Sequence, residues 1–232
     1  MKLPPLHGGV LLRRYKRFLA DVRLDDGREV TAHCPNPGAM SSCAAPGWRV
    51  ALSHHPDPKR KLKWSWELSY NEDGVPILVN TARPNQVVGE ALAAGQLPEL
   101  AGYASLRPEV RYGEGSRVDF LLSDPARPDC YVEVKSVTLK LAPGLAAFPD
   151  AVTTRGEKHL RELMKVVAEG QRGVLLFLVG RGDVTRVRAA EEIDPRYAAT
   201  LLEAQAAGVE VLAYRAAISE DSLGVSERIV FP

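Results

Sequence analysis

Ser116-Arg117-Val118-Asp119-Phe120-Leu121-Leu122 and Tyr131-Val132-Glu133-Val134-Lys135-Ser136-Val137 are two alternating stretches separated by a short Pro-bearing connection. The two-residue period of a strand puts Val118, Phe120 and Leu122 on one face and Asp119 on the other. In the second stretch Val132 and Val134 face one way, Glu133 and Lys135 the other. With Ser123–Asp129 as a simple hairpin loop, the register pairs Leu122 with Cys130 and Asp119 with Glu133. A tight turn at Gly113-Glu114-Gly115 places Glu109 opposite Asp119 in turn. Directly opposed side chains sit ~5 Å apart, where two like charges repel by about 3 kcal/mol at an effective dielectric of 20. A divalent cation removes that repulsion, and hard oxygen ligands select Mg²⁺ or Mn²⁺ over zinc. Asp119 and Glu133, with the Val134 carbonyl, are therefore the expected metal ligands, with Glu109 and Glu90 as further candidate acids. Lys135 is expected to orient or help deprotonate an attacking water and to offset charge on a phosphate. The competing reading is a charged solvent face with Lys135 as a cross-strand salt-bridge partner.

The surrounding chain bounds what such a site can belong to. At 232 residues, 45% hydrophobic, it is long enough to bury a core without disulfides. Three cysteines, Cys34, Cys43 and Cys130, form no C-x-x-C, which argues against a disulfide scaffold or a zinc ribbon and fits a reducing cytoplasm. Cys34 and Cys43 with His33, His54 and His55 match no tight metal spacing either. No apolar run reaches the ~18 residues that cross a bilayer, so no membrane partner is expected. Arg13-Arg14 is followed by no apolar segment of signal-peptide type, so no export signal is expected.

Charge is unevenly spread. The formal total is +1, yet residues 1–63 hold 12 Lys+Arg against 5 Asp+Glu, and the remainder 18 against 24. Arg13, Arg14, Tyr15, Lys16 and Arg17 form one cluster, and Lys61 and Lys63 belong to another. Such footprints grip a phosphate backbone through counterion release, so both are expected to bind nucleic acid.

Residues 1–82 read as short alternating strands with turn punctuation, the pattern of a small barrel. Phe18, Ala20, Val22 and Leu24 share one parity. Leu62, Trp64, Trp66 and Leu68 share another and are expected in the core, leaving Lys61, Lys63 and Glu67 outward. From residue 83 onward the pattern becomes helix, three strands, helix, strand, helix, strand, an α/β domain with a mixed sheet over 83–232. The first helix is expected over Asn85–Leu97, the second over Thr154–Ala168, with Thr154 to Glu157 as a capping box. The start of that second helix, with Arg155, Lys158 and His159, is a further expected phosphate contact.

The chain also resembles the sugar fermentation stimulation protein family. The resemblance rests on Arg14 to Val22, Ala32-His33-Cys34-Pro35-Asn36, Ser116 to Leu122, Glu133 to Leu139 and Phe148 to Leu160. In the loop Cys34–Met40 the chain has Pro37 and Ala39 where the family's usual form has Thr and Ser. The resemblance implies an N-terminal OB-like β-barrel and a C-terminal PD-(D/E)XK nuclease-like domain. It also implies DNA as partner and a link to regulation of sugar use, and it matches Asp119, Glu133 and Lys135 to the nuclease motif. Two functions follow. One is a DNA-binding protein with a metal-dependent phosphodiester-hydrolysing site, RNA being the alternative substrate. The other is a non-catalytic DNA-binding regulator that keeps the nuclease fold as scaffold.

Overall fold

The computed structural model describes residues 1–113 and 115–232. Glu114, at the centre of the expected turn, lies outside the described residues. The N-terminal part is a closed five-stranded barrel of β1 (Leu6–Tyr15), β2 (Leu19–Leu24), β3 (Glu29–His33), β4 (Arg49–His54) and β5 (Trp64–Tyr70). The strands run antiparallel in the order β3-β2-β1-β4-β5, and a parallel pairing of β3 with β5 through Ala32–Trp64 closes the ring. β6 (Pro76–Leu78) extends the sheet from β5. Leu11, Val22, Leu52, Trp66 and Ile77 fill the interior.

Two expectations for the barrel need correction. Phe18 is not the first inward residue of β2. It sits in the β1–β2 turn, 45% exposed, because Lys16 and Arg17 take left-handed backbone (φ 47° and 64°) and end β1 at Tyr15. β5 is not open to solvent on one face. Glu67 is fully buried and accepts hydrogen bonds from Ser53, Asn80 and Arg83, the last at 2.7 and 2.9 Å. Arg83 opens α1 (Arg83–Ala93), so the buried ion pair fastens the barrel to the helix that follows it. α1 starts two residues earlier and ends four earlier than its apolar pattern predicts.

The C-terminal part is a six-stranded mixed sheet flanked by helices. Its order is β15-β14-β12-β9-β8-β7. These strands are β7 (Ser105–Tyr112), β8 (Ser116–Asp124), β9 (Arg127–Val137), β12 (Arg172–Val179), β14 (Glu210–Ile218) and β15 (Leu223–Arg228). β12 runs parallel to β9 and β14, and its all-apolar run is buried on both faces, as a central parallel strand requires. One face packs Val87, Val88 and Ala91 of α1 against Phe120, Val132 and Leu176. The other carries α2 (Thr154–Ala168) and α3 (Pro195–Ala206), whose Leu160, Leu163, Tyr197 and Leu201 cover Leu175 and Phe177. A small second sheet of β10 (Leu139–Ala142), β11 (Gly144–Phe148) and β13 (Val184–Ala189) has no counterpart in the sequence reading. No helix among the described residues is long and apolar enough to cross a membrane.

Candidate active site and inter-domain cleft

The hairpin register is the expected one, with Leu122 opposite Cys130 and Phe120 opposite Val132. The β8–β9 ladder ends there. Beyond it Asp119 Oδ2 accepts the Val134 N–H at 2.7 Å, and Oδ1 accepts from Asn85 Nδ2, on the first turn of α1, at 2.6 Å. β8 continues beside β7 alone, so the two central strands part where the carboxylates sit. Burial and the neighbouring Glu133 charge push the Asp119 carboxyl up to about 6, against the pull of its two hydrogen bonds and Lys135.

Glu133 is 2% exposed. Its Oε1 accepts from Lys135 Nζ at 2.6 Å and also contacts His159 Nδ1. A carboxylate oxygen only accepts, so the second contact requires hydrogen on Nδ1. Arg155 Nε donates to Nε2 from the other side at 3.3 Å. Burial opposes ionisation of Glu133, but the His159 hydrogen bond and the Lys135 charge outweigh it and hold the carboxyl below its ordinary value. Glu133 Oε2 is buried with no partner. An orphaned carboxylate oxygen of this kind normally signals an unseen ion or water.

α2 delivers His159 with its N-terminus capped by Thr153 and tied to the cap of α3. Thr153, one residue before the expected capping box, accepts from Gly156 N–H, and Asp194 accepts from Thr153 N–H and Tyr197 N–H. His159 and Glu162 are both buried on this otherwise amphipathic helix. Glu162 Oε2 lies against Gly113, where a Cβ would stand 1.7 Å away, and Gly113 itself holds φ +51°. Tyr112 beside it has an unpartnered buried hydroxyl, and burial with the Glu133, Glu162 and Asp119 charges pushes its phenol upward. Sequence reasoning missed Asn85, Tyr112 and Glu162. For Glu162 a signal existed, its i+3 spacing from His159 on one helix face.

Two expected acids do not join the site. Glu90 pairs with the N-terminal ammonium of Met1 at 2.8 Å, because its position five residues beyond Asn85 turns it to another side of α1. Glu109 lies opposite Asp119 in register but is exposed, with left-handed backbone (φ 55°) between the paired Pro108–Phe120 and Val110–Val118. Among the described residues no group of three or more His, Cys, Asp or Glu side chains could hold a metal ion. Two carboxylates and a carbonyl still suit a cation such as Mg²⁺, which keeps several waters and needs only one or two protein carboxylates.

The basic segments divide by role. Arg14 is drawn into the structure, donating to the carbonyls of Asn36, Gly38 and Ala39 at 2.9–3.3 Å. Arg13 pairs with Asp21 and stacks over Tyr15, whose hydroxyl also reaches Asp21. Lys16 and Arg17 are exposed at the hairpin tip. Lys63 donates to the Asp57 carbonyl, while Lys61 is exposed. Arg155 and Lys158 are exposed at the start of α2. A further basic row went unread: Arg111 and Arg117, both exposed, face each other directly across β7 and β8.

The loop held by Arg14 spans the gap between the domains. Thr81 donates to the Pro35 carbonyl, and Met40 N–H to Asp150 Oδ2 at 3.2 Å. Ser42 bonds Thr138 and Lys140, and the buried Arg181 reaches Ser42 and Thr138 while pairing with Asp183. Gly38 meets Asp150 so closely that a Cβ would lie 2.1 Å from Oδ2. A cleft of about 440 Å³ lies between the domains. Its walls include Arg17, Asn36 and Gly38 of the barrel and Asn85, Lys135, Phe148, Asp150 and Val152 of the sheet domain. Lys135 thus joins the cleft to the buried carboxylates.

Residues 12–79 match the SfsA N-terminal OB domain, and residues 82–222 match the sugar fermentation stimulation protein RE domain. The chain belongs to the sugar fermentation stimulation protein family. A homologue from Geobacter sulfurreducens is 55% identical over 99% of this chain and 97% of its own. One from Aeromonas salmonicida is 53% identical over 98% and 94%. Among solved structures, Pyrococcus furiosus SfsA in complex with Ca²⁺ superposes with a TM-score of 0.89 at 26% identity, covering 100% of this chain and 98% of that one. The architecture is accordingly an OB-like barrel followed by a mixed α/β domain that matches the family's RE domain.

Proposed function

We propose that this SfsA-family chain is a metal-dependent phosphodiester hydrolase acting on nucleic acid, DNA being the expected substrate. The barrel, residues 1–82, contacts the polymer, and residues 83–232 carry the chemistry. The observation that carries the reading is Glu133: one oxygen anchored by Lys135 and His159, the other buried with no partner, and a charge that raises the Asp119 carboxyl. Oxygen donors and an elevated Asp119 fit a hard divalent cation, Mg²⁺ or Mn²⁺. Ca²⁺ in the P. furiosus relative agrees with that class. Asp119, Glu133 and the Val134 carbonyl would hold the ion, which when bound polarises the phosphate and acidifies water.

The chain's own groups do the rest. Asn85 and Val134 N–H fix the Asp119 carboxylate, and His159, backed by Arg155, fixes Glu133. Lys135 lines the cleft while its Nζ holds Glu133, a position from which it offsets negative charge gathering on the phosphate and can exchange a proton with the attacking water. Lys16 and Arg17 supply long-range attraction for the backbone. Buried free thiols at Cys34, Cys43 and Cys130 suit a reducing compartment such as the cytoplasm. A role in regulating sugar use would act through such nucleic-acid processing.

The test is incubation of the purified chain with labelled DNA and RNA in Mg²⁺, Mn²⁺ or chelator. Cation-dependent cleavage that Asp119→Ala and Lys135→Ala abolish, with binding retained, is expected. Binding without cleavage of any substrate would favour the scaffold-type regulator instead.

A further inference from the structure

Resting on the hydrolase reading, we propose that the polymer enters the cleft as an unpaired strand, a single-stranded end or flap, and not as an intact duplex. Three observations carry this. The cleft has a fixed bridge. Met40 N–H bonds Asp150, and Gly38 packs on the same carboxylate, so the barrel loop and the sheet domain touch beside the space they enclose. Arg14, Thr81, Ser42 and the buried Arg181 tie that loop down from both domains. A contact fixed on one side of the cleft leaves space beside it that suits one strand better than a duplex, whose major groove alone is ~12 Å wide.

The volume of the cleft agrees. About 440 Å³ lies at the low end of the range for small-ligand sites, room for roughly one nucleotide above Lys135. The reactive groups lie below that floor, Glu133 being 2% exposed, so the scissile phosphate has to descend into the cleft to meet them.

The rim supplies the third observation. Among the described residues, the exposed large apolar side chains are Phe18, Val152, Leu202 and Val230. One of the four, Val152, 73% exposed, lines the cleft, and a second, Phe18, 45% exposed, follows the lining residue Arg17 in the β1–β2 turn without itself lining the cleft. The Phe18 carbonyl accepts from Cys34 N–H, fixing the hairpin tip to the start of the bridging loop. An exposed aromatic beside an arginine is the pairing that stacks an unpaired base while holding its phosphate. A paired base offers no free face for it. Asn36 shapes the wall, its Oδ1 held by Gly38 N–H.

The experiment uses the full chain and oligonucleotides of one sequence as single strand, as duplex with a single-stranded flap, and as blunt duplex. Cleavage is followed in Mn²⁺, and binding of the Asp119→Ala variant by fluorescence anisotropy. Single strand and flap are expected to bind at least tenfold more tightly than blunt duplex. Wild-type cleavage is expected to map to the unpaired segment. Phe18→Ala is expected to weaken single-strand binding about tenfold and Phe18→Trp to restore it, with circular dichroism confirming both fold. Equal binding and cleavage of blunt duplex would overturn this inference and leave the hydrolase reading standing. Preferential binding of the unpaired strand with no cleavage of any substrate would do the reverse.

Discussion

Replacing Asp119 with Asn should stabilise the protein above pH 6 while destroying its site. The Asp119 carboxyl stands at about 6 in the fold against 3.8 when unperturbed, because burial and the Glu133 charge disfavour ionisation. Below pH 3.8 folded and unfolded chains both carry the proton, and the group makes no difference. As pH rises to 6 the unfolded chain releases its proton first, so stability falls, and above 6 the full deficit is about 3 kcal/mol. Asn cannot ionise and escapes that loss. For a chain of this length 1 kcal/mol moves Tm by roughly 2–4 °C, and some of the deficit is already present at pH 4, so the advantage of Asp119→Asn should grow by roughly 5–10 °C between pH 4 and pH 7.5. Thermal unfolding in chelator across that range measures it. Adding Mg²⁺ at pH 7.5 should close part of the gap by stabilising only the wild type. A difference in Tm that does not change with pH would refute the electrostatic account of the site.

Other perturbations probe separate parts of the account. Arg83→Met strands the buried Glu67 carboxylate and should cost about 3–5 kcal/mol in urea unfolding. The double change Glu67→Gln with Arg83→Met should recover most of it, and an additive double would contradict the pairing. Gly38→Ala drives a Cβ into Asp150 and should destabilise by about 1–3 kcal/mol, with Asp150→Gly as second-site rescue. Arg111→Ala removes half of a directly opposed like-charge pair. It should raise stability by about 0.2–1 kcal/mol while lowering nucleic-acid affinity and flattening its salt dependence by about one ion. Unchanged binding would make that pair an idle surface feature.

The parts of the fold visible in the sequence were those that short loops determine. Once β8 and β9 are joined by a tight connection, alternation sets the register, and Leu122–Cys130 and Phe120–Val132 pair as parity requires. Parity could not show where the ladder ends, so the capture of Val134 N–H by Asp119 was not visible. It also misled at Glu67. Trp64, Trp66 and Leu68 on one face imply a wet opposite face, but barrel closure and Arg83 from the next element cover it. In the basic run, composition reports charge and not geometry. Arg14 is consumed by three loop carbonyls, while Lys16 and Arg17 protrude because a left-handed turn puts them there. Glu90, for which exposure is the better reading of the sequence, is exposed on α1 and pairs with the Met1 ammonium. The hairpin of β10 and β11 escaped notice because small residues such as Ala142, Gly144 and Ala146 carry little strand signal.

Calorimetric titration with Mn²⁺ at pH 7.5 shows whether Asp119 and Glu133 together hold a cation. Wild type should take up the cation at a site whose affinity falls at least tenfold in Glu133→Gln and in Asp119→Asn, while Glu90→Gln and Glu109→Gln leave it unaltered. Equal Mn²⁺ affinity in wild type and Glu133→Gln would show that the orphaned carboxylate oxygen is not a metal ligand.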